Sequence, residues 1–189
     1  MKKVLQNLAL SAALSALIAP VQALEFNQVQ LDKSSLSFVS KQMNVPVEGR
    51  FKRFRSVLSF DPAKPTFAKA ELEIDLSSID AGSPEANEEV TSKAWFNTKV
   101  FPVARFVATS VKPLAANRFE VLGHMTIKGK TLEVSAPVNF RQDAGNGIMD
   151  GSFVLKRADY GLGEGIWADF GTVANEIQIK FRLVATAKK

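Results

Sequence analysis

The stretch Ala68-Lys69-Ala70-Glu71-Leu72-Glu73-Ile74-Asp75-Leu76 alternates without a break. Ala68, Ala70, Leu72, Ile74 and Leu76 share one parity, and Lys69, Glu71, Glu73 and Asp75 share the other. Successive side chains of an extended backbone point to opposite faces, so this is a strand with one dry and one wet side. A helix would scatter those acids and aliphatics around its whole circumference.

The same period recurs on both sides of that stretch. Ile177, Ile179 and Phe181 oppose Glu176, Gln178, Lys180 and Arg182. Leu132, Val134, Ala136, Val138 and Phe140 form another stripe, and Phe119, Val121, Met125 and Ile127 a further one within Arg118–Ile127. Ser34–Met43, Val45–Phe60, Ala104–Lys112 and Ile148–Arg157 also read as strands. Pro62-Ala63-Lys64-Pro65, Lys128-Gly129-Lys130 and Ala144-Gly145-Asn146-Gly147 supply the turns. About eight strands joined by short connections imply antiparallel neighbours, in either a sandwich or a closed barrel. One segment departs from the pattern. Ser83-Pro84-Glu85 has the order of an N-cap, a first-turn proline and an acid near the positive helix end, predicting a short helix that runs to Trp95-Phe96.

Met1-Lys2-Lys3, the apolar run Val4–Ile18, Pro20 and the small residues of Val21-Gln22-Ala23 have the layout of a cleaved secretory signal over residues 1–23. Residues 24–189 are then expected to form one domain in the bacterial periplasm. The apolar run is too short to span a bilayer comfortably. Cysteine is absent, which excludes disulfides, thiol chemistry and a lipid-anchoring cysteine. The formal charge of +5 includes Lys2 and Lys3 and is spread thinly, so nucleic acid is not an expected partner.

Reactive constellations are scarce. The one histidine, His124, falls on the polar parity of its strand, which argues against a catalytic triad or a metal site. Asp159, Glu164, Asp169 and Glu176 lie close together in sequence, but their spacing matches no cation loop, and acids in Gly-rich connections usually make turn hydrogen bonds. No catalytic residue and no metal are therefore expected.

The aromatics say more. The chain has 14 Phe against 1 Tyr and 2 Trp, and many of them take the inward parity. Phe has no polar handle, so the interior they line is dry. Strands of about ten residues tilted by ~40° enclose a tube on the order of 25 Å long. Such a tube can be packed solid or can hold an extended apolar chain. The lining expected for the second case is Phe38, Phe51, Phe106, Phe119, Met125, Phe140 and Phe153, with Trp95 and Trp167 near the openings. Arg157 shares the inward parity of Phe153 and Leu155, and a buried guanidinium needs partners. It can pair with Asp159 at the rim or meet a ligand head group, and Arg53, on the parity of Phe51, can do the second more weakly.

An ordered set of short stretches carries a resemblance. It comprises Ser35-Leu36-Ser37-Phe38, Gly49-Arg50-Phe51, Phe60-Asp61, Ile74-Asp75 with Ser78-Ile79, and the helix leading to Trp95-Phe96. Phe101-Pro102 with Ala104-Arg105-Phe106, Leu122-Gly123 with Thr126-Ile127-Lys128-Gly129, and Arg157-Ala158-Asp159-Tyr160-Gly161 follow. In this order the chain resembles the YceI-like family of periplasmic polyisoprenoid-binding proteins over its mature length. The resemblance implies an all-β fold with one short helix, a single eight-stranded antiparallel lipocalin-like β-barrel. It implies an isoprenoid lipid, quinone or polyprenyl phosphate, as bound ligand rather than cofactor, a non-catalytic carrier role, and an inner-membrane b-type cytochrome as a possible partner, the chain being monomer or homodimer. Two other readings are an interaction module with a filled barrel, using its loops and the Ser83–Phe96 helix, and a hydrolase or isomerase using the Asp159–Glu176 acids.

Overall fold

The computed structural model describes residues 24–187, so the signal segment expected over residues 1–23 lies outside the described residues. The chain begins with β1 (Phe26–Val29), β2 (Ser35–Gln42), β3 (Val45–Phe51) and β4 (Phe54–Ser59), then β5 (Lys69–Asp75) and the two-residue β6 (Ile79–Asp80). The helix α1 (Pro84–Thr91) follows, then β7 (Val103–Ala115), β8 (Arg118–Ile127), β9 (Lys130–Asp143), β10 (Asn146–Lys156) and β11 (Glu176–Ala187). All belong to one antiparallel sheet, in the order β4-β5-β7-β8-β9-β10-β11-β2-β3-β6. The sheet curls on itself. Its two sides meet through β1, which pairs with β11 along Phe26–Val29 and exchanges Phe26 N–H···O Phe60 (2.8 Å) and Phe60 N–H···O Phe26 (3.1 Å) with the end of β4.

The strands fall where alternation put them, with one instructive difference in number. Eleven strands replace the expected eight. Two of the extra ones, β1 and β6, are too short to show a period. The third arises because Val45–Phe60 is not one strand. Lys52-Arg53 breaks it, and the inward parity jumps from Val47, Gly49 and Phe51 to Phe54, Ser56, Leu58 and Phe60. Two residues stand between the inward Phe51 and Phe54 where an unbroken strand has one, and that slip of one residue turns every later side chain to the other face. The 3₁₀ turn Leu76–Ser78 fills the bend: Ser78 O accepts from Lys52 N–H (3.1 Å), and Ser78 Oγ accepts from Arg53 N–H (2.9 Å).

Turns and caps are local chemistry. Lys128 (φ 48°) and Gly129 (φ 75°) make the two-residue hairpin that joins β8 to β9 in register Ile127↔Lys130. Ser83 Oγ accepts from Ala86 N–H at 3.2 Å and starts α1. The helix stops at Thr91, earlier than its expected end at Phe96, and Ser92–Phe96 continues as turns that place Trp95 inside. No helix among the described residues is long and apolar enough to cross a membrane.

Two apolar clusters divide the interior. Phe26, Phe60, Phe119 and Phe140 pack edge to face at one end, with centroids 5.0–5.5 Å apart. Leu76, Trp95, Ile127, Leu155, Tyr160 and Leu162 form the other cluster, beneath the Lys128-Gly129 turn and the long connection 157–175. This second end is called the loop end below.

Candidate functional site

Between the clusters the interior is hollow. A cavity of about 660 Å³ runs through the barrel, within the ~300–1,000 Å³ usual for small-ligand sites. Phe119 and Ile127 both line it, and eight residues at ~3.3 Å each set them about 26 Å apart along β8. The wall is almost wholly carbon, contributed by the inward parity of β2–β5 and β7–β11 and by Ala86 and Val90 of α1. Gln42 on β2 and Glu85 on α1 line the cavity and are also exposed, so it reaches solvent at the loop end; Ser35 and Lys69 do the same elsewhere on the wall.

Of the expected lining residues, Phe38, Phe51, Phe106, Phe119, Met125, Phe153, Trp95 and Trp167 border this cavity. Phe140 does not. It is buried one layer back, behind Phe60 and Phe26, because β1 supplies a ring there that alternation could not reveal. Phe54, Leu58, Phe60, Leu72, Phe96, Val134 and Phe181 are among the further lining residues that had not been singled out. Leu72, Val134 and Phe181 already stood on inward stripes, whereas Phe54, Leu58 and Phe60 were hidden by the parity jump.

Arg53 is corrected by the same jump. Reading Val45–Phe60 as one strand puts it inward with Phe51, but the break turns it out to solvent. Its Nε donates to Asp75 Oδ2 at 2.9 Å and its Nη2 to Ser77 Oγ at 3.2 Å. The Ser77 hydroxyl, and after it Arg53, hold the Asp75 carboxyl below its usual range. Arg53 is not placed to meet a ligand in the cavity.

Arg157 is inward and only 1 % exposed, but it does not pair with Asp159, which is exposed. Its Nε donates to Ala174 O (3.2 Å), Nη1 to Leu162 O (2.8 Å) and Gly163 O (3.1 Å), and Nη2 to Trp167 O (2.7 Å) and Val173 O (2.8 Å). A guanidinium has five N–H donors, and all five are used. Trp95 and Phe170 cover its two sides, with ring centroids 5.3 and 5.1 Å from Cζ. Burial lowers its pKa, and the Asp169 charge acts the other way. The arginine is therefore a clasp that folds the 161–174 loop over the barrel, with no donor left for a head group. Gly163 lets the loop approach so closely, at φ +76°, since a Cβ there would stand 2.2 Å from Arg157 Nη1. Lys128 ties the same roof from the other side, donating to Gly161 O (2.7 Å) and Lys93 O (3.1 Å) and pairing with Glu164 (3.1 Å).

The remaining candidates are not gathered into a reactive site. His124 is exposed. Asp169 accepts from Gly171 N–H and Thr172 Oγ1, capping its own turn. Glu164 is taken by Lys128, and Glu176 is exposed at the start of β11. Among the described residues no group of His, Cys, Asp and Glu is placed to hold a metal ion.

The YceI-like domain matches residues 28–185. The chain belongs to the YceI-like family. A UPF0312 protein of Azotobacter vinelandii is 27% identical, with 95% of each chain covered. Among solved structures, Burkholderia cenocepacia BcnA shares 45% identity at TM-score 0.82, covering 84% of this chain and 100% of that one. A polyisoprenoid-binding domain from Saccharophagus degradans superposes at TM-score 0.68 with 22% identity, covering 87% of this chain and 99% of that one. At that identity it shows a shared fold, and polyisoprenoid binding is a property of that domain. The curled antiparallel barrel of this YceI-like chain is thus the family's lipocalin-like architecture.

Proposed function

We propose that this YceI-like protein binds an isoprenoid lipid, quinone or polyprenyl phosphate, along the barrel axis and carries it through the periplasm without chemically altering it. One observation carries the reading: a carbon-walled cavity bordered by residues as far apart as Phe119 and Ile127, the two ends of most of β8, in a barrel of this family. A cavity of that shape fits an extended chain better than a compact metabolite. Burial would supply the affinity, at about 25 cal/mol per Å² of apolar area before the costs of binding are subtracted. The filled-barrel reading lacks this support, since its interior would have to be packed. Delivery to an inner-membrane b-type cytochrome, in monomeric or dimeric form, is the partnership the resemblance suggests for such a carrier.

The test is native mass spectrometry of protein purified from a bacterial periplasm, followed by organic extraction. A stoichiometric isoprenoid mass is the expected result and also identifies the lipid. Folded Met125→Glu protein, with an acid in mid-cavity, should come out empty. Wild-type protein that stays bare after incubation with both lipids would refute the proposal.

A further inference from the structure

The cavity ends differently at its two extremes. At the loop end Gln42 and Glu85 border it and are exposed. At the other end its axis runs into rings. Phe60 and Phe119 border the cavity and meet edge to face with centroids 5.2 Å apart. Behind them lie Phe140, 5.0 Å from Phe60, and Phe26, 5.5 Å from Phe140, neither of which borders the cavity. All four are buried, Phe26 completely.

This floor has no slack. Phe26 and Phe60 exchange both of their backbone hydrogen bonds, which pins β1 across the end of β4. Beneath the second layer, Gly147 on β10 leaves no space either, since a Cβ there would stand 2.7 Å from Phe26 Cδ1 and 3.0 Å from Phe140 Cε2. Rings packed two deep against backbone resist displacement by an entering methyl group. The other buried members of the cluster, Leu58, Val111, Val138, Met149 and Ala185, carry no side-chain nitrogen or oxygen. A polar head group driven down to this end would lose its hydrogen bonds to water and gain none.

We infer that this double layer of phenylalanine is a length gauge: it stops the tail of one isoprenoid chain, keeps the polar end at the loop end, and selects chains by the number of isoprene units that fit between. The inference rests on the isoprenoid reading of the cavity. A unit inside the barrel is sheltered from water as well as a unit in a membrane or micelle, whereas a surplus unit at the mouth stays exposed and weakens binding. Phe60 sets the stop, because its ring faces the cavity and is backed by Phe140. Leu58 lies one inward position nearer the loop end, and its cross-strand partner is the small Ala70, so a ring at position 58 has room to raise the floor.

The experiment equilibrates the purified protein with an equimolar series of polyprenyl alcohols, each one isoprene unit longer than the last, in nonionic detergent micelles. Native mass spectrometry then reads which alcohols are bound. Bound abundance should drop at least ten-fold beyond a cut-off length. Phe60→Ala removes a ring close in size to one isoprene unit and should move the cut-off to a longer alcohol. Leu58→Phe should move it to a shorter one. These opposite shifts separate a gauge from a general loss of stability, and Leu58→Phe decides alone if Phe60→Ala does not fold. Loading without a cut-off, as when a tail leaves sideways past Lys69, or one unmoved cut-off in both variants, would overturn the gauge and leave the carrier reading standing. Protein that takes up no alcohol of any length would overturn the isoprenoid reading and the gauge with it.

Discussion

The ring of Phe38 on β2 lies directly against Gly49, its cross-strand partner on β3. A Cβ at position 49 would stand 2.2 Å from Phe38 Cζ and 2.7 Å from the Asp80 carbonyl oxygen. The missing side chain thus lets a lining aromatic sit flush with the wall and lets β6 close onto β3 nearby. Gly49→Ala should destabilise the barrel by about 1–3 kcal/mol, the usual cost of forcing atoms into a packed region. Denaturant melting reads the effect as a lower midpoint at unchanged slope. Adding Phe38→Leu should return part of the loss, because only the flexible half of the clash is relieved while the Asp80 backbone stays. A Gly49→Ala protein as stable as wild type would mean that the strands separate freely here.

Arg157 should behave as a structural residue. Replacing it with Lys keeps the charge but cannot fill five carbonyls from a planar fork. Both Arg157→Lys and Arg157→Met should lose stability, on the order of 3 kcal/mol for a buried, multiply bonded group. Amide hydrogen exchange should accelerate through residues 161–174 and leave β7–β9 unchanged. A variant with native stability and only weaker ligand retention would restore the head-group role that the hydrogen bonding removes.

How far the sequence could be read follows from which residues obey a single period. Along β5, β8, β9 and β11 one face is dry and one wet for the whole strand, and their stripes read directly. The reading failed where inside and outside switch within a segment. Lys52-Arg53 shifts the parity once, and that single slip misplaced Arg53 and concealed Phe54, Leu58 and Phe60. Phe140 was correctly placed inward, but whether an inward ring touches a cavity or another ring depends on β1, far away in the chain. The carbonyls around Arg157 leave no mark at all in side-chain identity. Backbone acceptors are available to any residue whose loop folds around it.

Arg53 lies outside and Arg157 borders the cavity with all its donors spent; the other charged side chains bordering it are Lys69, Glu71, Glu85 and Glu89, and Arg105 holds Glu71 at 2.6 Å. The lining also includes neutral groups with unused hydrogen-bonding capacity: Ser56 Oγ and Trp95 Nε1 are buried without a partner. A phosphate would therefore enter a site with more carboxylates than cations. An isoprenoid alcohol should bind at least as tightly as the phosphate of the same chain length, and Arg53→Gln should leave both affinities unchanged. Competition between the two lipids for the purified barrel measures this. Clear preference for the phosphate would show that a cationic site exists which this arrangement does not contain.

Tyr160 gives a prediction with a clean optical readout, since it is the only tyrosine in the chain. It is 2 % exposed in the cluster beneath the loop end, and its hydroxyl has no hydrogen-bond partner. Burial first, and the Asp159 charge second, push its pKa up to about 12. Phenolate absorbance of the folded protein should titrate near that value, and in denaturant near the ordinary ~10. The sign for stability follows. Between those two values the unfolded chain loses the proton first, so the folded state binds more protons and stability falls as pH rises. The contribution is whole below about pH 10 and gone above about pH 12, a change on the order of 2 kcal/mol. Tyr160→Phe, which keeps the ring and removes the orphan hydroxyl, should abolish that alkaline slope without lowering stability at neutral pH. A phenol that titrates near 10 in the folded protein would place Tyr160 in water and dissolve the cluster around it.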